Sequence, residues 1–149
     1  MKTTSYLQEI GVLCENENNI CVLCNEEVES VDHLMVSCFL VRKNSVELVR
    51  WWGLAWVAPS SVSSLLDWWW GGQCERNLRK FWEVIPLVGF WAIWKARNEC
   101  RFLDGTVVCE RLADRVKFYA TIWFKYNCGL SNYTIDDFLY RLREIRGKF

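Results

Sequence analysis

Cys21-Val22-Leu23-Cys24, followed by His33 and then by Cys38, is the stretch that decides how this chain folds. Its spacing is Cys-x2-Cys-x8-His-x4-Cys, and it takes in the only histidine of the 149 residues. Three thiolates and one imidazole complete a tetrahedral shell for a structural zinc ion, so Cys21, Cys24, His33 and Cys38 are the expected ligands and Zn2+ the expected cofactor. Four protein donors leave no position for water or substrate, which argues against zinc chemistry and against a metal-dependent hydrolase. A redox Cys-x-x-Cys would want a βαβ setting, which helical surroundings do not offer.

The local structure follows from the ligands. Residues Cys21 to Asp32 suit a tight cysteine turn and then a loop or small hairpin, with Asp32 as a good N-cap for a helical turn. His33 and Cys38 are five apart, so one regular helix would aim them about 140° from each other at roughly 100° per residue. A break is therefore expected near Ser37 or Cys38. A second helix follows from about Phe39 to Trp52, with Val41, Leu48 and Trp52 inward and Arg42, Lys43, Glu47 and Arg50 in water. On the other side, Tyr6, Leu7, Ile10, Val12 and Leu13 have the spacing of a short amphipathic helix leading into the site.

Beyond the site the pattern stays helical. Gly53 to Pro59 reads as a connection, Ser60 or Ser61 caps a helix through Val62, Leu65, Leu66 and Trp69, and Gly71-Gly72 ends it. A long helical region is expected from Glu75 to Phe102, with Leu78, Phe81, Trp82, Ile85, Val88, Trp91, Ile93 and Trp94 apolar and Pro86 kinking or dividing it. Asp104-Gly105 closes it. Between Val107 and Tyr126, Val108, Leu112, Val116, Tyr119, Ile122, Trp123 and Tyr126 follow helical spacing, and Asn127-Cys128-Gly129 stops that helix. Thr134 caps a last helix through Phe138, Leu139, Leu142 and Ile145, which makes Asp136-Asp137 a helix N-terminus rather than a catalytic pair. The expected fold is mostly α: a small N-terminal Cys3His zinc module over residues 1–54, then a tryptophan-rich region over 55–149 in a compact bundle of about four to six helices, packed as one unit with the first.

Composition agrees. Ten tryptophans with two prolines and eight glycines describe an aromatic-rich helical chain, and its apolar half suffices for a core. The uncharged stretch from Trp51 to Leu66 is too polar for a membrane span, and the N-terminus lacks the apolar run of a secretory signal. Reduced thiols inside the cell, in nucleus or cytoplasm, are expected, with Cys14, Cys74, Cys100, Cys109 and Cys128 as small buried residues and Cys14 open as a substitute ligand. Residues 1–74 carry four Lys/Arg against nine Asp/Glu, and residues 75–149 carry fourteen against nine. The net charge of zero thus divides into an acidic and a basic half.

The site and its flanks resemble the zinc-binding region downstream of the reverse transcriptase in plant LINE-type non-LTR retrotransposons. The matching words are Tyr6-Leu7-Gln8-Glu9-Ile10-Gly11-Val12-Leu13, Ile20-Cys21-Val22-Leu23-Cys24-Asn25 and Val31-Asp32-His33-Leu34, and further on Trp91-Ala92-Ile93-Trp94-Lys95-Ala96-Arg97-Asn98. The resemblance covers residues 5–54 and 80–103, and implies the same four metal ligands. Where that family commonly has proline after the last cysteine and tryptophan six residues after it, this chain has Phe39 and Asn44. No Tyr-x-Asp-Asp signature occurs, so the resemblance implies a non-catalytic stand-alone or remnant module of a parent RNA-directed DNA polymerase.

Small zinc knuckles often bind single strands through basic and aromatic residues. Here no Lys or Arg lies between Lys2 and Arg42, Glu26, Glu27, Glu29 and Asp32 line the loop, and zinc with three thiolates is itself about −1. If RNA or single-stranded DNA binds, its expected place is the basic half, at Arg76, Arg79, Lys80, Lys95, Arg97 and Arg101, although the acidic residues interspersed there favour an ordinary solvated helix face. Trp68-Trp69-Trp70 cannot all face one core, so at least one should be exposed, as on a protein-interaction surface. For Arg97-Asn98 the expectation is a buried asparagine beside a surface arginine. Neither a membrane nor a small-molecule substrate is expected as a partner.

Overall fold

The computed structural model describes residues 6, 9–11, 19–55, 57–72, 74–102, 111–128 and 132–147. Cys14, Cys109, Asp104-Gly105 and the expected helix start at Val107 lie outside them, as does most of the expected N-terminal helix. Within them the fold is helical, with a short cysteine hairpin at its head. Ile20 and Val28 form one antiparallel bridge, and Glu29 N–H donates to the Asn19 carbonyl at 2.7 Å. Inside that hairpin Cys21 N–H bonds the Glu27 carbonyl at 2.8 Å, and Asn25 takes the turn's positive φ of 57°.

The chain next enters a π turn, His33–Ser37. Its start is capped by Ser30, whose Oγ accepts from His33 N–H at 3.0 Å, rather than by Asp32. Asp32 reaches away instead and accepts from the Val62 backbone N–H at 2.8 Å. The break falls at Cys38, whose ψ of 128° leaves the helical region. Five α-helices follow: α1 Phe39–Trp52, α2 Val62–Gly71, α3 Arg79–Phe102, α4 Leu112–Cys128 and α5 Ile135–Arg146. Gly53, in the left-handed region at φ 89°, ends α1 by returning its N–H to Arg50. Ser61 with Ser64 and Thr134 with Asp137 form capping boxes on α2 and α5.

α3 packs along α4, α4 also contacts α1 and α5, and α2 lies on α3 and the π turn. Phe81 of α3 is the hub. It stacks on Phe124 at 4.7 Å and meets Trp51, Trp52 and Phe138 edge-on at 5.4–5.7 Å, joining α1, α3, α4 and α5. Each such pair adds about 0.5–1.5 kcal/mol beyond area burial. One apolar cluster runs from Cys21 and Leu34 through Trp82 to Ile145.

Three expectations are corrected here. Pro86 does not divide α3, which is preceded by a 3-10 turn, Arg76–Leu78, instead of beginning at Glu75. A proline removes the N–H that would serve the carbonyl four residues earlier, here that of Trp82, and Trp69 Nε1 donates to that carbonyl at 2.8 Å. Trp82 Nε1 returns the bond to the Trp69 carbonyl at 2.8 Å, with the two indoles stacked 4.1 Å apart. Secondly, α4 turns only part of the expected apolar stripe inward: Leu112 and Val116 are buried together with Ala113, Ala120, Thr121 and Phe124, while Tyr119, Trp123 and Tyr126, like Trp91 of α3, are exposed. Alanines on the inner face admit close approach of α3. Thirdly, Arg97 is buried and Asn98 only partly so, the reverse of the expected order. Trp70 is the exposed member of its triplet.

Candidate metal centre

The four residues singled out by spacing meet at one point. The donor atoms of Cys21, Cys24, His33 and Cys38 all lie within 4.8 Å of one another. Hairpin geometry supplies the first two: Asn25 N–H bonds the Cys21 carbonyl at 2.8 Å, closing the Cys-x-x-Cys turn so that both thiols point to one side. The π turn supplies the others. Cys38 N–H bonds the His33 carbonyl at 2.7 Å, five residues back, and this wider turn cancels the divergence that a regular helix would impose on the pair.

Cys21, His33 and Cys38 are buried and Cys24 half-buried, so the donors face inward. His33 Nε2 lies 3.4 Å from Cys24 Sγ, while Nδ1 lies 3.1 Å from Glu27 Oε2 and 3.4 Å from Ser37 Oγ. Nε2 is thereby aimed at the thiols and Nδ1 held by a carboxylate, the arrangement that fixes the ring of a metal-ligating histidine. The thiols share protons unequally. A hydrogen bond from Cys38 pushes the Cys21 thiol down to about 5 against the opposing effect of burial, with the Cys24 and Leu23 backbone N–H groups assisting. Cys38 is pushed up, by that same bond and then by burial. This donor set can hold one metal ion, and doing so would release the remaining thiol protons.

Acidic residues near the site have separate duties. Glu27 orients His33, and Asp32 caps α2. Glu29 is fully buried and does not line the loop as expected: it forms a two-pronged ion pair with Arg97, Nη2 to Oε1 at 2.8 Å and Nε to Oε2 at 3.1 Å. The hairpin is thus pinned to α3. Cys74, outside the array, is pushed up to about 11 by burial and the neighbouring Glu75.

The six basic residues chosen on the second half do not gather. Arg97 is consumed by Glu29, so it is unavailable to a phosphate. Arg79 pairs with Glu83 at 2.7 Å, and Lys95 sits 5.3 Å over the Trp91 ring and 4.0 Å from Glu99. Arg76 and Lys80 are exposed near one end of α3 and Arg101 is half-buried near the other. From Lys80 to Lys95 alone the helix rises about 22 Å at ~1.5 Å per residue. Glu27 and the Glu29–Arg97 pair were missed by sequence reasoning. The first had a signal, because a sole ligating histidine needs a partner for its second nitrogen. No protein-family model, curated protein or solved structure matches this chain. No described helix is long and apolar enough to cross a membrane.

Proposed function

We propose that this chain is a zinc-braced helical module, non-catalytic and similar to the plant retrotransposon region named above, that assists the handling of single-stranded nucleic acid. The observation that carries the zinc reading is the four-donor cluster within 4.8 Å. Zinc held at about 2.3 Å from each sulfur in a tetrahedron needs donors about 3.8 Å apart, so a contraction of ~1 Å at most closes the shell. Filled in this way, the ion ties hairpin to π turn and has no open position for chemistry. The basic balance of residues 75–149 and the sequence resemblance support the nucleic-acid part of the reading.

A second reading, a protein-interaction domain, is favoured by the exposed Trp91, Tyr119 and Trp123, each 40–47% accessible on adjoining helices. Metal analysis of the reduced protein tests the first reading. About one zinc per chain is expected, lost together with helical circular dichroism in Cys38→Ser. Metal-free purified protein with full helicity would overturn the zinc reading. Filter binding of single-stranded RNA at two salt concentrations tests the rest, since binding through phosphates weakens steeply with salt.

A further inference from the structure

We infer that the outer face of α1, continued onto α5, is a binding groove for a single-stranded polynucleotide, a site distinct from the basic residues of α3. This inference rests on the nucleic-acid part of the function proposed above. Two adjoining shallow grooves, of about 610 and 450 Å³, share Glu47 and Arg50. Their walls hold six cations, Arg42, Lys43, Arg50, Lys117, Arg141 and Arg143, against the two carboxylates Glu47 and Glu144. With Asp114 and Asp137 counted in, which pair with Lys117 at 3.5 Å and with Arg141 at 3.2 Å, this face keeps an excess of two positive charges in a chain whose net charge is zero. A polyanion is the complementary occupant.

The carboxylates are already engaged, Glu47 by Lys117 and Glu144 by Arg141. By contrast, the side chains of Arg42, Lys43 and Arg50 have no carboxylate partner among the described residues, and all three are exposed. Arg143 is held in place by a hydrogen bond to the Arg50 carbonyl. Phe39 at one end and Tyr140 at the other are 66% and 80% accessible, so each presents a ring on which a base can stack. Cations that follow a backbone, interleaved with exposed rings, are the recognised means of holding single strands without sequence preference. From Phe39 to Arg50, α1 rises about 16 Å at ~1.5 Å per residue, long enough to follow several phosphates. The metal centre bears on this face directly, because its ligand Cys38 is the residue that starts α1.

The test is fluorescence anisotropy with labelled 12-nucleotide oligo-U and oligo-dT against the zinc-loaded chain. Wild type is compared with Arg42→Gln/Lys43→Gln/Arg50→Gln, with Phe39→Ala/Tyr140→Ala, and with Arg76→Gln/Lys80→Gln on α3. All are surface changes, and zinc content and circular dichroism verify folding. The α1 triple variant should weaken binding at least tenfold at low salt and flatten the log Kd against log salt slope by about 2, at ~0.7 per phosphate contact. The aromatic pair should weaken it by about fivefold or more. The α3 variant should bind as wild type does. If wild type binds but the loss appears only in the α3 variant, the groove is overturned while the nucleic-acid function stands. If wild type shows no salt-sensitive binding to either oligomer at micromolar protein, both fall.

Discussion

Replacing Glu29 by Gln should cost this protein a large part of its stability, although the side chain keeps its shape. Glu29 is 0% accessible and its partner Arg97 4%, so the guanidinium would remain buried without the carboxylate that faces it at 2.8 and 3.1 Å. Breaking a buried pair by removing one member costs about 3–5 kcal/mol, because the remaining charge keeps its desolvation penalty. At ~2–4 °C per kcal/mol for a chain of this size, Tm should fall by about 6–20 °C. Thermal and urea unfolding of the zinc-loaded protein, followed by circular dichroism, reads this directly. The double variant Glu29→Met/Arg97→Met separates charge from packing. Removing both charges should recover most of the loss, since buried pairs replaced by apolar side chains of similar volume are often neutral. If Glu29→Gln unfolds within about 1 kcal/mol of wild type, or the double variant is as damaged as the two single changes added together, the reasoning fails.

Three further outcomes are expected. Gly89 lies inside α3 with nothing within 4 Å of an added Cβ, so Gly89→Ala should stabilise by about 0.5–1 kcal/mol, seen as a higher urea midpoint at unchanged slope. Trp69→Phe should cost at least about 1–3 kcal/mol in the same measurement, because the Trp82 carbonyl that Pro86 leaves without a backbone donor also loses its indole donor. Burial pushes the Glu75 carboxyl up, but the hydrogen bonds and charge of Arg146 more than offset this and hold it below its ordinary 4.5. A carboxyl depressed in the folded state stabilises above its unfolded pKa, and that contribution disappears as pH falls through the folded value. The stability gap between wild type and Glu75→Gln should therefore be open at pH 7 and narrow as pH falls below the ordinary 4.5; a gap that does not narrow at any acid pH at which both proteins stay folded would refute the pairing.

What could be read from the sequence was local. The bounds of α1 follow from Cys38 and Gly53, and the starts of α2 and α5 from Ser61 and Thr134, because capping acts over three or four residues. The metal donors were legible because spacing alone limits which thiols can share an ion. Passage of α3 through Pro86 was not legible, since the donor that relieves the proline comes from Trp69, on another helix. The inner face of α4 was misread in part for a related reason. Half-exposed Tyr119 and Trp123 carry more hydrophobic weight than Ala113 and Ala120, yet closeness of packing favours the alanines on the inner face.

Polar side chains were the hardest to read, and they explain how the metal segment belongs to the bundle. Asp32 serves the start of α2 at Val62, Asn44 accepts from Ala113 N–H at 2.8 Å near the start of α4, and Glu29 holds Arg97 of α3. Each partner lies 30 to 69 residues away along the chain. Asn44 also donates its Nδ2 to the Leu40 carbonyl, 2.8 Å away, so the same side chain serves both α1 and the start of α4. Three helices therefore take an end or a buried charge from the segment that the metal would brace. Loosening that segment would leave one first-turn N–H group on each of two helices and one guanidinium without these partners, so metal loss should be felt beyond the hairpin.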